Sequence, residues 1–206
     1  MEKPKQLYGV HPGVLMLQKW IADLEQKTGR SLDEWMAFIN KEGPKTEAAR
    51  RDWLKASHDL GTNSAAWLAE RSVGKGSDEF TPEGYLRQAE RYVEEMYAGK
   101  KAPLKPIHDA LLKLSLRLGK DVKACPCKTM VPIFRRYAIA QIKPATLTRI
   151  DLGFALKDTK AKGRLIDTGG FAKKDRITHR IPIASLDDID DEVKRWLQVA
   201  YEMDAA

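Results

Sequence analysis

At Gly119 the spacing of apolar residues changes from one every three or four positions to one every second position. A 3.6-residue period puts apolar side chains on one stripe of a helix, and a period of 2 puts them on one face of a strand. The switch therefore divides the chain into a helical part and a sheet-forming part. Beyond it, residues 129–134 and 138–142 read as short strands. "TLTRIDLGFALK" sets Ile150, Leu152, Phe154 and Leu156 on one face and Arg149, Asp151, Gly153 and Ala155 on the other. "GRLID" is a further strand candidate, and "DRITHRIPIAS" alternates Ile177, His179, Ile181 and Ile183 with Arg176, Thr178, Arg180 and Pro182. Such alternation belongs to an antiparallel sheet with one covered face. Two amphipathic helices can supply the cover: one near 104–118 carrying Ile107, Leu111, Leu114 and Leu118, and one near 188–203 carrying Ile189, Val193, Trp196, Leu197 and Ala200.

The first 75 or so residues keep the helical period. "SLDEWMAFIN" begins with Ser31 and Glu34 in the S-x-x-E arrangement of a capping box, in which each side chain satisfies a backbone N–H of the other residue. Gly29 is placed to end the preceding helix. Three short helices each bring one tryptophan (Trp35, Trp53, Trp67), which predicts a small core around those rings. The helices flanking "DLGTNS" could form a helix-turn-helix, but "SAAWLAERS" lacks the Arg, Lys, Asn and Gln side chains that read base edges, so packing is the better account of it. "GKGSDEFTP" reads as a linker. The expected fold class is α+β: a small all-helical module over 1–76, then an α+β domain over 77–206. The latter has a linker helix at about 82–98 and a core at about 103–203, where an antiparallel sheet of four to five strands carries helices on one face.

Charge is unevenly spread. Residues 1–100 hold 15 Lys/Arg against 16 Asp/Glu, residues 101–180 hold 19 against 6, and residues 181–206 hold 2 against 7. The net charge of +7 is thus a property of the sheet-forming region, as expected of an anion-binding surface. Arg149, Lys157, Arg176 and Arg180 are predicted on the sheet face opposite the aliphatic residues, with Lys160, Lys162, Arg164, Lys173 and Lys174 in the connecting loops. Guanidinium groups can hold phosphates bidentately. Tyr137 and Phe171 are the aromatics that could stack on bases.

Other chemistry is sparse. Cys125 and Cys127 flank Pro126 before a strand, too far apart if extended for an unstrained disulfide and without a second close pair of zinc ligands. Nearby Lys123 and Lys128 leave open a reactive thiol. A metal would have to recruit Cys125, Cys127 or His179, and no metal, cofactor or catalytic residue is expected. The acids Asp187, Asp188, Asp190, Asp191 and Glu192 sit where a helix begins and suit its unsatisfied N–H groups. "KDTK" places Asp158 and Lys160 in the D-x-K spacing of nuclease sites, with Asp151 as the nearest second carboxylate. No stretch is long and apolar enough for a signal peptide or membrane helix, and a cytoplasmic protein is expected.

"SLDEWMAFIN", "PKTEAARRDWLK" and "LGTNSAAWLAERS" resemble a helical domain of unknown function that begins uncharacterised bacterial proteins. The segment from about 106 to 201, with "FRRYAIAQIKPATLTRIDLGFAL" and "THRIPIASLDDIDDEVKRWLQVAY", is similar to a second domain of unknown function, of the type loosely labelled predicted transport protein, with relatives attached to restriction-type nuclease domains. The resemblance implies two modules and an α+β fold for the second, and carries no activity. The reading is of a non-enzymatic bacterial accessory protein whose C-terminal domain binds a polyanion, nucleic acid first. The N-terminal module could dock a protein partner. Alternatives are a pocket between sheet and helices in which Arg149, Asp151, Arg180 and His179 hold a small anion, and a metal-dependent nuclease using Asp151, Asp158 and Lys160.

Overall fold

A computed structural model describes residues 7–75 and 80–204. The chain forms two compact units, Val10–Tyr85 and a second made of Met1–Gly9 with Leu86–Ala206.

In the first unit, α1 (Pro12–Ala22), α2 (Leu24–Thr28), α3 (Leu32–Glu42), α4 (Glu47–His58) and α5 (Thr62–Ser72) follow one another through short turns. Gly29 ends α2 with φ 75°, a left-handed conformation that suits glycine. The capping box of α3 is formed: Glu34 N–H donates to Ser31 Oγ at 3.3 Å, and the Glu34 carboxylate accepts from Ser31 N–H at 2.8 Å. That backbone donor is the main reason the Glu34 carboxyl lies below the usual carboxylate range. The core is more aliphatic than expected. Leu24, Ile39, Leu54 and Leu68 are buried around Trp35, whereas Trp53 and Trp67 pack against them from the rim. There Trp53 stacks on Phe38, with ring centroids 5.5 Å apart, and Arg30 lies 4.1 Å above Phe38.

A buried arginine ties these helices together. Arg50 Nε donates to Pro44 O at 2.7 Å, and its Nη1 donates to Asn40 Oδ1 at 3.0 Å and to Ser72 O and Oγ at 3.0 and 2.7 Å. Its charge is met by acceptors near the C-terminal ends of α3 and α5, where the helix dipole favours a cation. A single ammonium cannot replace a fork that serves several acceptors at once.

In the second unit, α6 (Pro82–Met96), which contains the boundary, leads to a 3₁₀ turn (Gly99–Leu104) and α7 (Lys105–Leu116). Six strands follow: β1 (Lys123–Ala124), β2 (Val131–Phe134), β3 (Ala138–Pro144), β4 (Ile150–Phe154), β5 (Ile166–Asp167) and β6 (His179–Ile183). A 3₁₀ turn (Leu186–Asp188) then precedes α8 (Asp191–Met203). The sheet is antiparallel in the order β1-β2-β3-β4-β6-β5. It has six strands where four to five were expected. The extra one is the two-residue β1, too short to show alternation, and it exists only through pairing with Ile133 and Phe134.

Register aligns Ile150, Leu152 and Phe154 with Pro144, Ile142 and Ala140 on one side and with Ile183, Ile181 and His179 on the other. This face is buried against α7 and α8, giving the α+β architecture that the period change implies. The last described residue, Asp204, closes the domain: its carboxylate accepts from Arg136 N–H at 2.9 Å and Tyr137 N–H at 3.0 Å and pairs with Arg176.

His108 on α7 is fully buried, 4.7 Å between ring centroids from Tyr97, and among the described residues neither ring nitrogen has a hydrogen-bond partner. Burial pushes its pKa down to about 4.

Two expectations follow from this packing. Arg50→Ala should destabilise the helical unit by about 3 kcal/mol, with Arg50→Lys recovering little of it, as measured by urea unfolding. Between pH 6.5 and 4 the unfolded chain protonates His108 while the fold keeps it neutral. Its contribution is therefore intact above about pH 6.5 and falls by roughly 3 kcal/mol as the pH drops toward 4. His108→Leu should flatten that part of the stability–pH curve relative to the unsubstituted chain, and an unchanged slope would show that His108 does not cause it.

Candidate functional site

Alternation leaves the other face of the sheet with Gln141, Lys143, Asp151, Gly153, Arg180 and Pro182, paired side by side across β3, β4 and β6. Among the described residues no helix covers these positions in the way α7 and α8 cover the opposite face, and a groove of about 550 Å³ runs over all of them but Pro182. One wall is the segment 168–177 that joins β5 to β6. It closes on the sheet where Gly153 leaves room: a Cβ there would stand 2.7 Å from Ile177 Cγ2. The groove thus lies on the open face, not between sheet and helices where the small-ligand reading placed it.

At its centre Asp151 lies between two arginines, its side chain only 15% exposed. Arg180 donates to Asp151 Oδ2. Arg149 Nε lies 2.9 Å from Oδ1, close enough for an ion pair but out of line for a hydrogen bond. Lys143 faces Asp151 across the β3–β4 pair. Two guanidinium groups therefore hold one carboxylate, with Lys143 at the facing register position: Lys143 and Arg180 sit on the two strands flanking β4, while Arg149 immediately precedes it.

The nine predicted anion-binding residues divide by type. Each arginine is matched by acid. Arg149 and Arg180 share Asp151, and Arg176 pairs with Asp204 while donating to Ala138 O at 2.9 Å. Arg164 is held by Asp190 at 2.7 Å, Glu192 at 3.5 Å and Asp188 at 3.7 Å, and also donates to Asp188 O at 2.9 Å. Arg164 thus ties the β4–β5 loop to the start of α8. Arg176 is likewise paired with the Asp204 side chain. By contrast Lys157, Lys160, Lys162, Lys173 and Lys174 make no ion pair among the described residues; Lys157, Lys173 and Lys174 lie in turns, and Lys160 and Lys162 stand on irregular loop backbone. Lys157 has φ 54° in the turn after β4. Lys173 and Lys174 lie on the segment that walls the groove, beside Phe171, which is 54% exposed. Tyr137 is equally exposed, with Arg176 5.2 Å from its ring centre.

The acidic cluster acts as caps. Asp190 accepts from Val193 N–H at 3.1 Å, and Asp188 accepts from Ala184 and Ser185 N–H at 2.8 and 2.9 Å. These backbone donors are the first cause holding both carboxyls below the usual range. For the nuclease reading, Asp151 is occupied by two guanidinium groups and Asp158 is exposed in a turn. Among the described residues no group of three or more His, Cys, Asp or Glu is placed to hold a metal. His179 is buried on the helix-covered face, its Nδ1 2.8 Å from Thr178 Oγ1 and its Nε2 without a hydrogen-bond partner among the described residues.

The cysteines belong to the hairpin joining β1 to β2, where Cys125 N–H donates to Pro132 O at 2.9 Å and Cys127 N–H to Met130 O at 2.8 Å. Cys125 is fully buried, and burial pushes its thiol up to about 12, outweighing the opposing effect of Lys123. Burial raises Cys127 as well. Neither has the lowered pKa of an activated thiol, because desolvation favours the neutral form of both.

With the geometry in place, the chain is defined as a two-module protein: a helical N-terminal part and a C-terminal domain with an antiparallel sheet covered by helices on one face. The family model described as Domain of unknown function (DUF5655) matches residues 93–204, more than half of the chain, and the chain belongs to that family. A second model, Domain of unknown function (DUF4287), matches residues 16–71. No curated protein and no solved structure matches the chain. Among the described residues no helix is long and apolar enough to cross a membrane.

Cys125 should react with a disulfide reagent about a thousandfold more slowly in the native protein at pH 7 than in denaturant, since little thiolate exists and access is closed. Rapid labelling of two thiols in the native chain would contradict this.

Proposed function

We propose that the α+β domain of this bacterial-type cytoplasmic protein binds a polyanion, nucleic acid being the class that fits, across the open sheet face and its loops. It does so without catalysis. The observation that carries this reading is the division of labour among the cations: among the described residues each candidate arginine is matched by a carboxylate, while the candidate lysines are not. Lysine is a point charge on a flexible stem. It neutralises phosphate without the planar, bidentate geometry that reads a base edge. A lysine-led surface is therefore suited to backbone contacts of low sequence selectivity, with Phe171 and Tyr137 available for stacking. Asp151 tunes the centre of the groove, because it offsets part of the charge of Arg149 and Arg180.

Fluorescence anisotropy with a labelled oligonucleotide tests this. Affinity should fall steeply with salt, each neutralised phosphate contributing a slope of about 0.7 to 0.9. Lys173→Ala with Lys174→Ala should lower that slope by between one and two. Asp151→Asn should tighten binding by about tenfold as two guanidinium groups lose their acid. Absence of salt-sensitive binding, or an Asp151→Asn variant that binds no better, would remove the reading.

A further inference from the structure

Next to the groove is a second concavity, of about 460 Å³, that the charge pattern of the sequence does not single out. Its lining brings together Lys100 and Lys101 from the 3₁₀ turn before α7, Lys128 from the β1–β2 hairpin and Lys143 from the open face of β3. These residues are dispersed over 44 positions of sequence and meet only in the fold. None makes an ion pair among the described residues. The one carboxylate in the lining, Glu95, is already paired with Arg91 at 2.8 Å. Lys101 Nζ lies 3.4 Å from Pro144 O, which holds its ammonium group at the wall, and Met96 and Leu147 give the site an apolar side. Lys143 borders both concavities, so the two are contiguous.

Four lysines lining one small space carry like charges that repel one another, and a compact anion with several charges relieves that repulsion. An internal phosphodiester carries one negative charge, and one lysine suffices for it. A phosphomonoester carries nearly two at neutral pH and has three acceptor oxygens, and a pyrophosphate carries more. We infer that the pocket formed by Lys100, Lys101, Lys128 and Lys143 binds a terminal phosphate or pyrophosphate group, either free or at the end of a strand lying in the adjoining groove. The strand-end form rests on the polyanion reading; the pocket itself does not.

Titration calorimetry with inorganic pyrophosphate at low salt tests the pocket. The unsubstituted chain should bind it saturably, and the exposed pair Lys100→Gln with Lys128→Gln should bind about a hundredfold more weakly, or about tenfold for each lost charge-assisted hydrogen bond. The pair Lys113→Gln with Lys120→Gln, equal in charge but outside both the pocket and the groove, should bind like the unsubstituted chain. Equal weakening by both pairs, or no pyrophosphate binding by the unsubstituted chain, overturns the inference.

Anisotropy with a 5′-phosphorylated oligonucleotide and its 5′-hydroxyl counterpart separates the sources. Tighter binding of the phosphorylated strand, abolished by Lys100→Gln with Lys128→Gln, supports a strand end in the pocket. Pyrophosphate binding without oligonucleotide binding supports the pocket as a site for free phosphates and removes the groove reading. Equal binding of both oligonucleotides without pyrophosphate binding removes the pocket and leaves the groove reading standing.

Discussion

Burial of one face of β4 is the constraint on which the α+β domain depends. Ile150, Leu152 and Phe154 are fully buried, flanked in register by apolar residues of β3 and β6 and packed beneath α7 and α8. Because side chains of a strand alternate, this burial drives Asp151 and Gly153 to the opposite face. A one-residue slip would bury Asp151 and expose the aliphatic row. Apolar burial on one side thus determines the geometry of a polar site on the other, including the alignment of Lys143 and Arg180 beside Asp151.

On the polar side, charge matching sorts the cations into two roles. Arginines hold the domain together: Arg164 ties a loop to α8, Arg176 reaches Asp204, and Arg135 lies 3.9 Å over the Tyr201 ring while pairing with Asp121 at 2.6 Å. Each meets two or more partners at once, which suits a planar, multi-donor fork. Among the described residues the lysines on the loops and around the second concavity make no ion pair and keep their charge available. The strong positive balance of residues 101–180 is therefore two populations, one structural and one exposed.

Much of the architecture was legible in the chain. Alternation around Leu152 and Ile181 identified β4 and β6, Ser31 with Glu34 marked the start of α3, and the acids before Val193 marked the start of α8. These are local signals, set by neighbours within a few residues. The two-residue β1 was not legible, nor was the rim position of Trp53 and Trp67, because both depend on partners far along the chain. Of the candidate site, the exposed lysines stood out by composition. The pairing of Arg164 and Arg176 did not, since their acids lie 24 to 28 residues away.

By itself the amino-acid sequence determined which segments are helical and which extended, which face of each main strand is apolar, and where the positive charge concentrates. Those properties follow from the period of side-chain projection and from composition. Only the tertiary structure decided which cations are spent on neighbouring acids and that Lys100, Lys101, Lys128 and Lys143 share one concavity. Electrostatic pairing acts through space over a few ångströms, and no spacing along the chain encodes which distant segments the packing of helices on a sheet will bring that close.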